Sequence, residues 1–410
     1  MPVASQLMRP IFLLQIIFAG YTCCTSIFYM LYQLGYDNFS KPTTNFFPDE
    51  EKIAITAQCQ RYYCLGHAAL VSGIIIIMRY PVKSKVRIKT ESVANLLLII
   101  AVITFPLHFA FDKISGLSQF SNQFNSLSFI AGTLALAFAI PQKKLRNSVI
   151  CVFLYFSNFA AALTSGFKEP IILSIMVLGI FLFPVYKKIV LFILGPALIG
   201  LFIFLPTYAN TFRANAWTGT TDTEQAKQLA LEAALNSDIK DTNWDFLVYR
   251  ISEIDMFTEF VSSTPEKIGF YNFDLVKQSL IVLVPRAFWP SKPITEELVM
   301  QRVYAAGITS RNSTVSAKPA YIVDAYLSGG TLGVLIALFI YGVTAQWISQ
   351  KCEEMFGGYL LGTALIFSGL FQIFWRGLSF EFILNNVVWG YVTILLIAKF
   401  LRMRRILEPV

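Results

Sequence analysis

Long stretches of this 410-residue chain carry no charge and almost nothing but apolar side chains, and no other feature constrains its fold as strongly. Leu97–Phe111 and Ile189–Pro206 are two such runs. Inside a bilayer, where no water can satisfy the backbone, each peptide group must find its partner within the segment. A run of about 20 apolar residues therefore becomes a helix across a hydrocarbon core of roughly 30 Å. Composition extends the argument to the whole chain, which is 55% hydrophobic and only 14% charged. The reading is an all-α, polytopic integral membrane protein. Its net charge of +8 then reports topology and lipid contact, and argues against nucleic acid as a partner.

Ten spans are expected, at 11–34, 60–79, 92–112, 123–141, 148–164, 170–185, 189–209, 327–348, 358–375 and 381–400. The first is too long for the apolar core of a signal peptide and no small-x-small cleavage site follows it, so it reads as a membrane helix. Cations in the short loops set the orientation. Lys83, Lys85, Arg87 and Lys89 follow the second span, and Lys143, Lys144 and Arg146 the fourth. Lys187 and Lys188 follow the sixth, Lys351 the eighth, and Arg402, Arg404 and Arg405 the tenth. Every cluster follows an even-numbered span, which places both termini in the cytoplasm. The chain then divides into seven spans over 1–209, a large extracytoplasmic loop over 210–326, and three spans with a cytoplasmic tail over 327–410. The six cysteines form no CxxC pair and none lies in the long loop, so they indicate neither a zinc site nor a disulfide framework.

A loop of that length should carry function. Its start reads as a helix, with Thr221 and Glu224 at capping-box spacing. A second helix, about Asn243 to Ser262, puts Arg250 and Glu253 on one face. The third segment, Phe273 to Val284, is apolar enough to lie on or dip into the outer membrane surface. Then comes Pro285-Arg286-Ala287-Phe288-Trp289-Pro290-Ser291-Lys292-Pro293, two cations among three prolines and two large aromatics. Proline fixes φ and removes a donor, so the motif is semi-rigid and not helical. Phe288 and Trp289 are ring types that settle at a membrane–water interface. Arg286 and Lys292 suit an anionic lipid headgroup, either a specific diphosphate or ordinary phospholipid.

Other polar residues gather at the outer ends of the expected spans. Lys168 and Glu169 lie in the turn after span five, His67 and His108 in the outer parts of spans two and three. Asp324 and Tyr326 open span eight, Arg376 closes span nine, and Glu381 begins span ten. Lys168, Arg286, Lys292 and Arg376 would thus supply positive charge on the side where few cations are expected. Two or three charge-assisted hydrogen bonds, at about 1.5–3 kcal/mol each, would hold a diphosphate firmly. Arg286 and Arg376 lead because a guanidinium offers a bidentate fork. Simpler readings stand beside these: Lys168 paired with Glu169, Arg376 with Glu381, Arg250 with Glu253, and the histidines as packing residues. Gly329, Gly330 and Gly333 read as close helix packing.

The combination resembles the Wzy-like O-antigen and polysaccharide repeat-unit polymerases of bacterial inner membranes. The matching residues are Val284-Pro285-Arg286 with Phe288–Pro293, the Thr164–Lys168 turn, and Asp324–Gly333. The resemblance implies a GT-C-type membrane glycosyltransferase without metal or other cofactor. Such an enzyme moves a growing glycan from undecaprenyl diphosphate to a lipid-linked acceptor repeat unit, alongside a chain-length regulator and a flippase. Arg286, Lys168 and Arg376 would stabilise the leaving diphosphate, with Lys292, Arg250 and Trp289 also at the substrate. Asp324, Glu253 and His108 are the candidate bases. Lys168 stands where many relatives place Arg, which weakens its assignment as a clamp. A glycan ligase is the nearest rival, although ligases often rely on a histidine in the large loop and 210–326 has none. A transporter or flippase is the rival from another class; it would need a two-sided path, often with repeated halves and polar or broken helices at mid-membrane, whereas the sequence shows no repeat and its cations are one-sided.

Overall fold

The computed structural model describes all residues except 1–5, 44, 90–91, 115–117, 166–168, 217–221, 237–242, 287 and 313–315. It is 76% helical. In chain order the elements are α1 (Pro10–Gln33, with a π-helical stretch at Ile16–Cys24), α2 (Glu50–Ile77), β1 (Val86–Ile88), α3 (Val93–Lys113), α4 (Ser118–Ala139) and α5 (Leu145–Ser165). There follow α6 (Glu169–Ile189), α7 (Gly195–Ala216), α8 (Thr223–Asn236), α9 (Ile254–Ser263), α10 (Asp274–Leu283) and α11 (Thr295–Ala305). The chain ends with α12 (Tyr321–Met355), α13 (Leu360–Leu370), α14 (Ile373–Arg376), α15 (Phe380–Met403) and β2 (Leu407–Pro409). Five helical runs among the described residues are long and apolar enough to cross a membrane: Pro10–Gln33, Val93–Lys113, Ser174–Ala216, Tyr321–Met355 and Phe380–Met403. By length and composition this is a helical membrane protein.

The chain forms two compact units, one of residues 1–7, 90–111 and 120–246, the other of residues 8–89, 112–119 and 247–410. In the first, Ser128 Oγ on α4 donates to Ala101 O on α3 (2.9 Å). Ile171 on α6 and Leu205 on α7 share a buried cluster, and Phe212 on α7 packs on Ala226 and Ala230 of α8. The 43-residue run Ser174–Ala216 is longer than one crossing needs. It leaves helical geometry at Tyr186 (φ −122°, ψ 47°), two residues after Pro184, where the expected sixth span ends. Thr221 of the expected capping box lies outside the described residues. Asp222 caps α8, accepting from Gln225 N (2.8 Å).

In the second unit α2 and α12 run parallel and touch backbone to backbone. A Cβ on Gly73 would stand 2.1 Å from Phe339 O, and one on Gly342 2.1 Å from Leu70 O. Only glycine permits that approach. The start of α2 is capped by Asp49, which accepts from Lys52 N (3.0 Å), and Glu50 and Glu51 complement the helix dipole. The C-terminal ends of α2, α12 and α15 meet. β1 pairs antiparallel with β2, Lys85 N donates to Glu354 O, and Lys89 N to Ile406 O. Arg9, just before α1, reaches the same end and forks onto Glu353 (2.9 and 3.0 Å) with its guanidinium 3.8 Å from the Tyr80 ring centroid. The basic loops after the second, eighth and tenth expected spans therefore share one end of this unit.

α12 is a single helix only in outline. At Gly330 the backbone turns to φ 59°, ψ −137°, and the first two turns fold back against the remainder of the helix. A Cβ on Gly333 would stand 2.1 Å from Ala325 O. Tyr321 Oη donates to Ala337 O (3.4 Å), and its ring lies 4.7 Å from that of Tyr341. In an unbroken helix those residues would be separated by about 24 and 30 Å. Tyr321–Ser328 is thus antiparallel to the rest of α12, with Gly329 and Gly330 at the turn. The glycines expected to serve close packing do so at Gly333, but Gly330 makes a reversal. The expected ninth span, 358–375, is also interrupted: α13 covers only Leu360–Leu370, and the chain breaks at Phe371 before α14. The expected helix 243–262 is broken at Glu253, which takes a left-handed conformation (φ 51°) ahead of α9.

Candidate functional site

The start of α12, the segment between α14 and α15, and α11 meet. Ala320, just before α12, forms an antiparallel bridge with Leu378, and Tyr321 N donates to Gly377 O. One turn on, Asp324 Oδ2 accepts from Phe380 N at the start of α15 (2.8 Å) and from Arg302 Nη2 of α11 (2.8 Å). Arg302 also forks onto Glu381, Nη1 to Oε1 and Nη2 to Oε2, both at 2.9 Å. The side chains of Arg302, Asp324 and Glu381 are sealed at 2%, 0% and 0% exposure. Burial opposes the charge on Arg302, but the carboxylates of Asp324 and Glu381 more than offset it and hold the guanidinium above its usual range. Two carboxylates face one cation, and Asp324 Oδ1, Arg302 Nε and the neighbouring Ser379 Oγ have no hydrogen-bond partner. The cluster ties α11 to the first turns of α12 and α15.

Beside it lies a cleft of about 50 Å³, lined mainly by apolar groups of α1, α2, α12 and α14, among them Phe18, Leu70, Leu338 and Phe374. Arg376 and Gly377 line it too, and Arg376 is exposed. Tyr321 separates the cleft from the ion cluster, its ring 4.7 Å from both Tyr341 and Phe380. Trp375 Nε1, next to Arg376, is buried without a partner. The arrangement offers an apolar surface and a guanidinium, while the two nearby carboxylates are sealed against Arg302.

The remaining candidates are placed differently. Lys292 is buried and donates Nζ to Val282 O (2.9 Å) and Val284 O (2.8 Å), capping the end of α10. Arg286, half-buried, makes longer bonds to Pro290 O (3.4 Å) and Pro293 O (3.3 Å). Trp289 is partly exposed and donates Nε1 to Ser291 Oγ (3.1 Å). Both cations of the proline motif are thus turned onto their own loop. Glu253 is exposed at the start of α9. His67 stacks on Phe18, with ring centroids 6.3 Å apart. His108 belongs to the first unit, where Nδ1 lies 2.6 Å from Ser121 Oγ. Lys168 and the side chain of Arg250 lie outside the described residues.

Sequence reasoning passes over Arg302, the residue that organises the cluster. The signal is present: Arg302 falls on the same helical stripe as the buried Val299, Met300 and Val303, a cation where an apolar side chain is expected. Proximity in sequence pairs Glu381 with Arg376; the structure gives it to Arg302. No curated protein and no solved structure matches this chain. A family model described as a domain of unknown function (DUF8712) matches residues 1–409, and the chain belongs to that family.

Proposed function

We propose that the chain polymerises polyprenyl-diphosphate-linked oligosaccharide repeat units into a surface polysaccharide (O-antigen, capsule or exopolysaccharide). The transfer takes place at the outer face of a bacterial inner membrane, in a ten-span topology with cytoplasmic termini and the 210–326 segment outside. The observation that carries this reading is the apolar cleft with Arg376 at it, one turn of chain from Asp324 and Glu381. A lipid-linked diphosphate needs an apolar surface for its tail and a cation for its charge. Support for the sidedness comes from the basic loops gathered at the opposite end of the same unit.

In this chemistry the acceptor hydroxyl attacks the anomeric carbon of the donor and the bond to the diphosphate breaks. The hydroxyl proton passes to a base, and cations stabilise the departing charge. Arg376 is the proposed diphosphate ligand at this cleft; Arg286 and Lys292 bond their own loop, and Lys168 lies outside the described residues. Glu253, exposed at the start of α9, is the proposed base of the second unit, since Asp324 is sealed against Arg302, and His108 of the first is tested separately. One observation favours a second reading, a lipid-linked glycan flippase: interrupted segments converge with charged groups among apolar helices, as in many transporters. Deleting the gene and resolving attached glycans on a gel separates them. A polymerase leaves single repeat units attached and no ladder. Accumulation of lipid-linked units inside supports the flippase, and loss of all attached glycan supports a ligase. A stably expressed Arg376→Ala variant that keeps a full ladder removes Arg376 from the site.

A further inference from the structure

Sequence alone puts the proline motif at the membrane surface, but its hydrogen bonds place it well along a spanning helix. α10 begins beside the glycine turn of α12, where Tyr271 N donates to Leu327 O (2.9 Å). It then packs along α15, burying Leu275, Ser279 and Val282. At its end Leu283 O accepts from Trp389 Nε1 (3.0 Å). Trp389 is nine residues beyond Phe380, so this contact lies about 14 Å further along α15 than the ion cluster. From there α11 returns, and Arg302 in its last turns rejoins that cluster. The path is a hairpin: α10 goes in, the proline motif turns, and α11 comes back.

Most of the carbonyls around its tip are met from within the protein. Val282 O and Val284 O take the Lys292 ammonium, and Leu283 O takes the Trp389 indole. Pro285 O accepts from Phe288 N (3.0 Å) and Trp289 N (3.1 Å), and Trp289 O accepts from Lys292 N (3.1 Å). Arg286 serves Pro290 O and Pro293 O. The three prolines contribute no N–H that would need a partner. In water a helix end needs no such accounting, because solvent satisfies its carbonyls; in lipid every one must be met from within. Leu280 (54%) and Phe288 (81%) are exposed on the outward face of α10 and the motif, and the return leg α11 opens on Glu296 and Glu297. Asp274 and Lys277, the exposed ion pair of α10, stand at the opposite end from the tip.

The geometry points to a re-entrant hairpin, residues 273–305, sunk into the bilayer beside α15, with Leu280 and Phe288 against lipid hydrocarbon tails. The occupant of that face is the acyl chain of the surrounding bilayer, by continuity with the exposed apolar face of α15. The inference holds whichever substrate the chain takes.

The test is a depth measurement on the full chain in phospholipid vesicles. Single cysteines at Phe288→Cys and Leu280→Cys, in a background with the six native cysteines replaced, carry a nitroxide label. Collisions with molecular oxygen, which concentrates in hydrocarbon, are compared with collisions with a water-soluble nickel chelate. Leu396→Cys on the exposed face of α15 gives the lipid reference, and Glu266→Cys the water reference. The expected oxygen-to-nickel ratio at both hairpin sites is several-fold above that at Glu266→Cys and close to that at Leu396→Cys. A ratio matching Glu266→Cys overturns the proposal in favour of a loop in water. Exclusion of both reagents overturns it in favour of a protein-covered face. Both labelled positions are exposed, so neither substitution removes a core contact, and the two sites check each other.

Discussion

At the scale of single residues, Arg302 decides more than any cation that stands out in the sequence. It neutralises two sealed carboxylates, and removing it leaves them facing each other in a dry setting. Arg302→Met should destabilise the protein by about 3–5 kcal/mol, read as a fall in the thermal unfolding midpoint in detergent. Adding Asp324→Asn and Glu381→Gln to that variant should recover much of the loss, because no charge is then left buried; failure to recover would show that packing, not charge, is at stake. Arg302→Lys should not restore stability, since an ammonium lacks the fork that meets both partners. Glu408 provides a pH test at the other end. The hydrogen bond from Lys89, together with Arg87, lowers its carboxyl below the ordinary glutamate range. Its contribution is therefore present above that range and lost as pH falls through the depressed value. Amide-exchange protection of Val86–Ile88 should decline over that window, and a Glu408→Gln variant should show no such step.

At the scale of elements, the second unit depends on two glycine devices. Where α2 crosses α12, a side chain at Gly73 or Gly342 meets a backbone carbonyl, which has no rotamer with which to yield. Gly342→Val should cost at least about 1–3 kcal/mol and lower the yield of folded protein on size-exclusion chromatography. Where α12 reverses, Gly330 holds a conformation closed to other residues, and Phe270 Cζ lies 3.3 Å from where a Cβ would be. Gly330→Ala should cost about 1–3 kcal/mol in the same assay, whereas Gly329→Ala, with open space around it, should cost less. These devices were half legible. Glycines at 329, 330 and 333 marked a close approach, but apolar periodicity runs through the turn without a break. No pattern of 3.6 residues distinguishes a straight helix from one folded on itself.

At the scale of the whole molecule, the proposed orientation makes a prediction of its own. In intact cells a membrane-impermeant thiol reagent should label Glu266→Cys and leave Arg405→Cys unlabelled, in the cysteine-free background; the reverse pattern would invert the topology. The sequence by itself determined that the chain is helical and suited to membranes, because hydrocarbon admits only backbone that satisfies itself and the apolar runs are long enough to do so. It also singled out Asp324, Arg376 and the proline motif, since each sets charge against an apolar background. Only the tertiary structure decided which charges meet. Arg302, Asp324 and Glu381 are 79 residues apart at the extremes and are joined by the return of a hairpin and the reversal of a helix. Local pattern is silent on both, because the energy of a buried ion pair depends on distance in space, and separation along the chain carries almost none of that information.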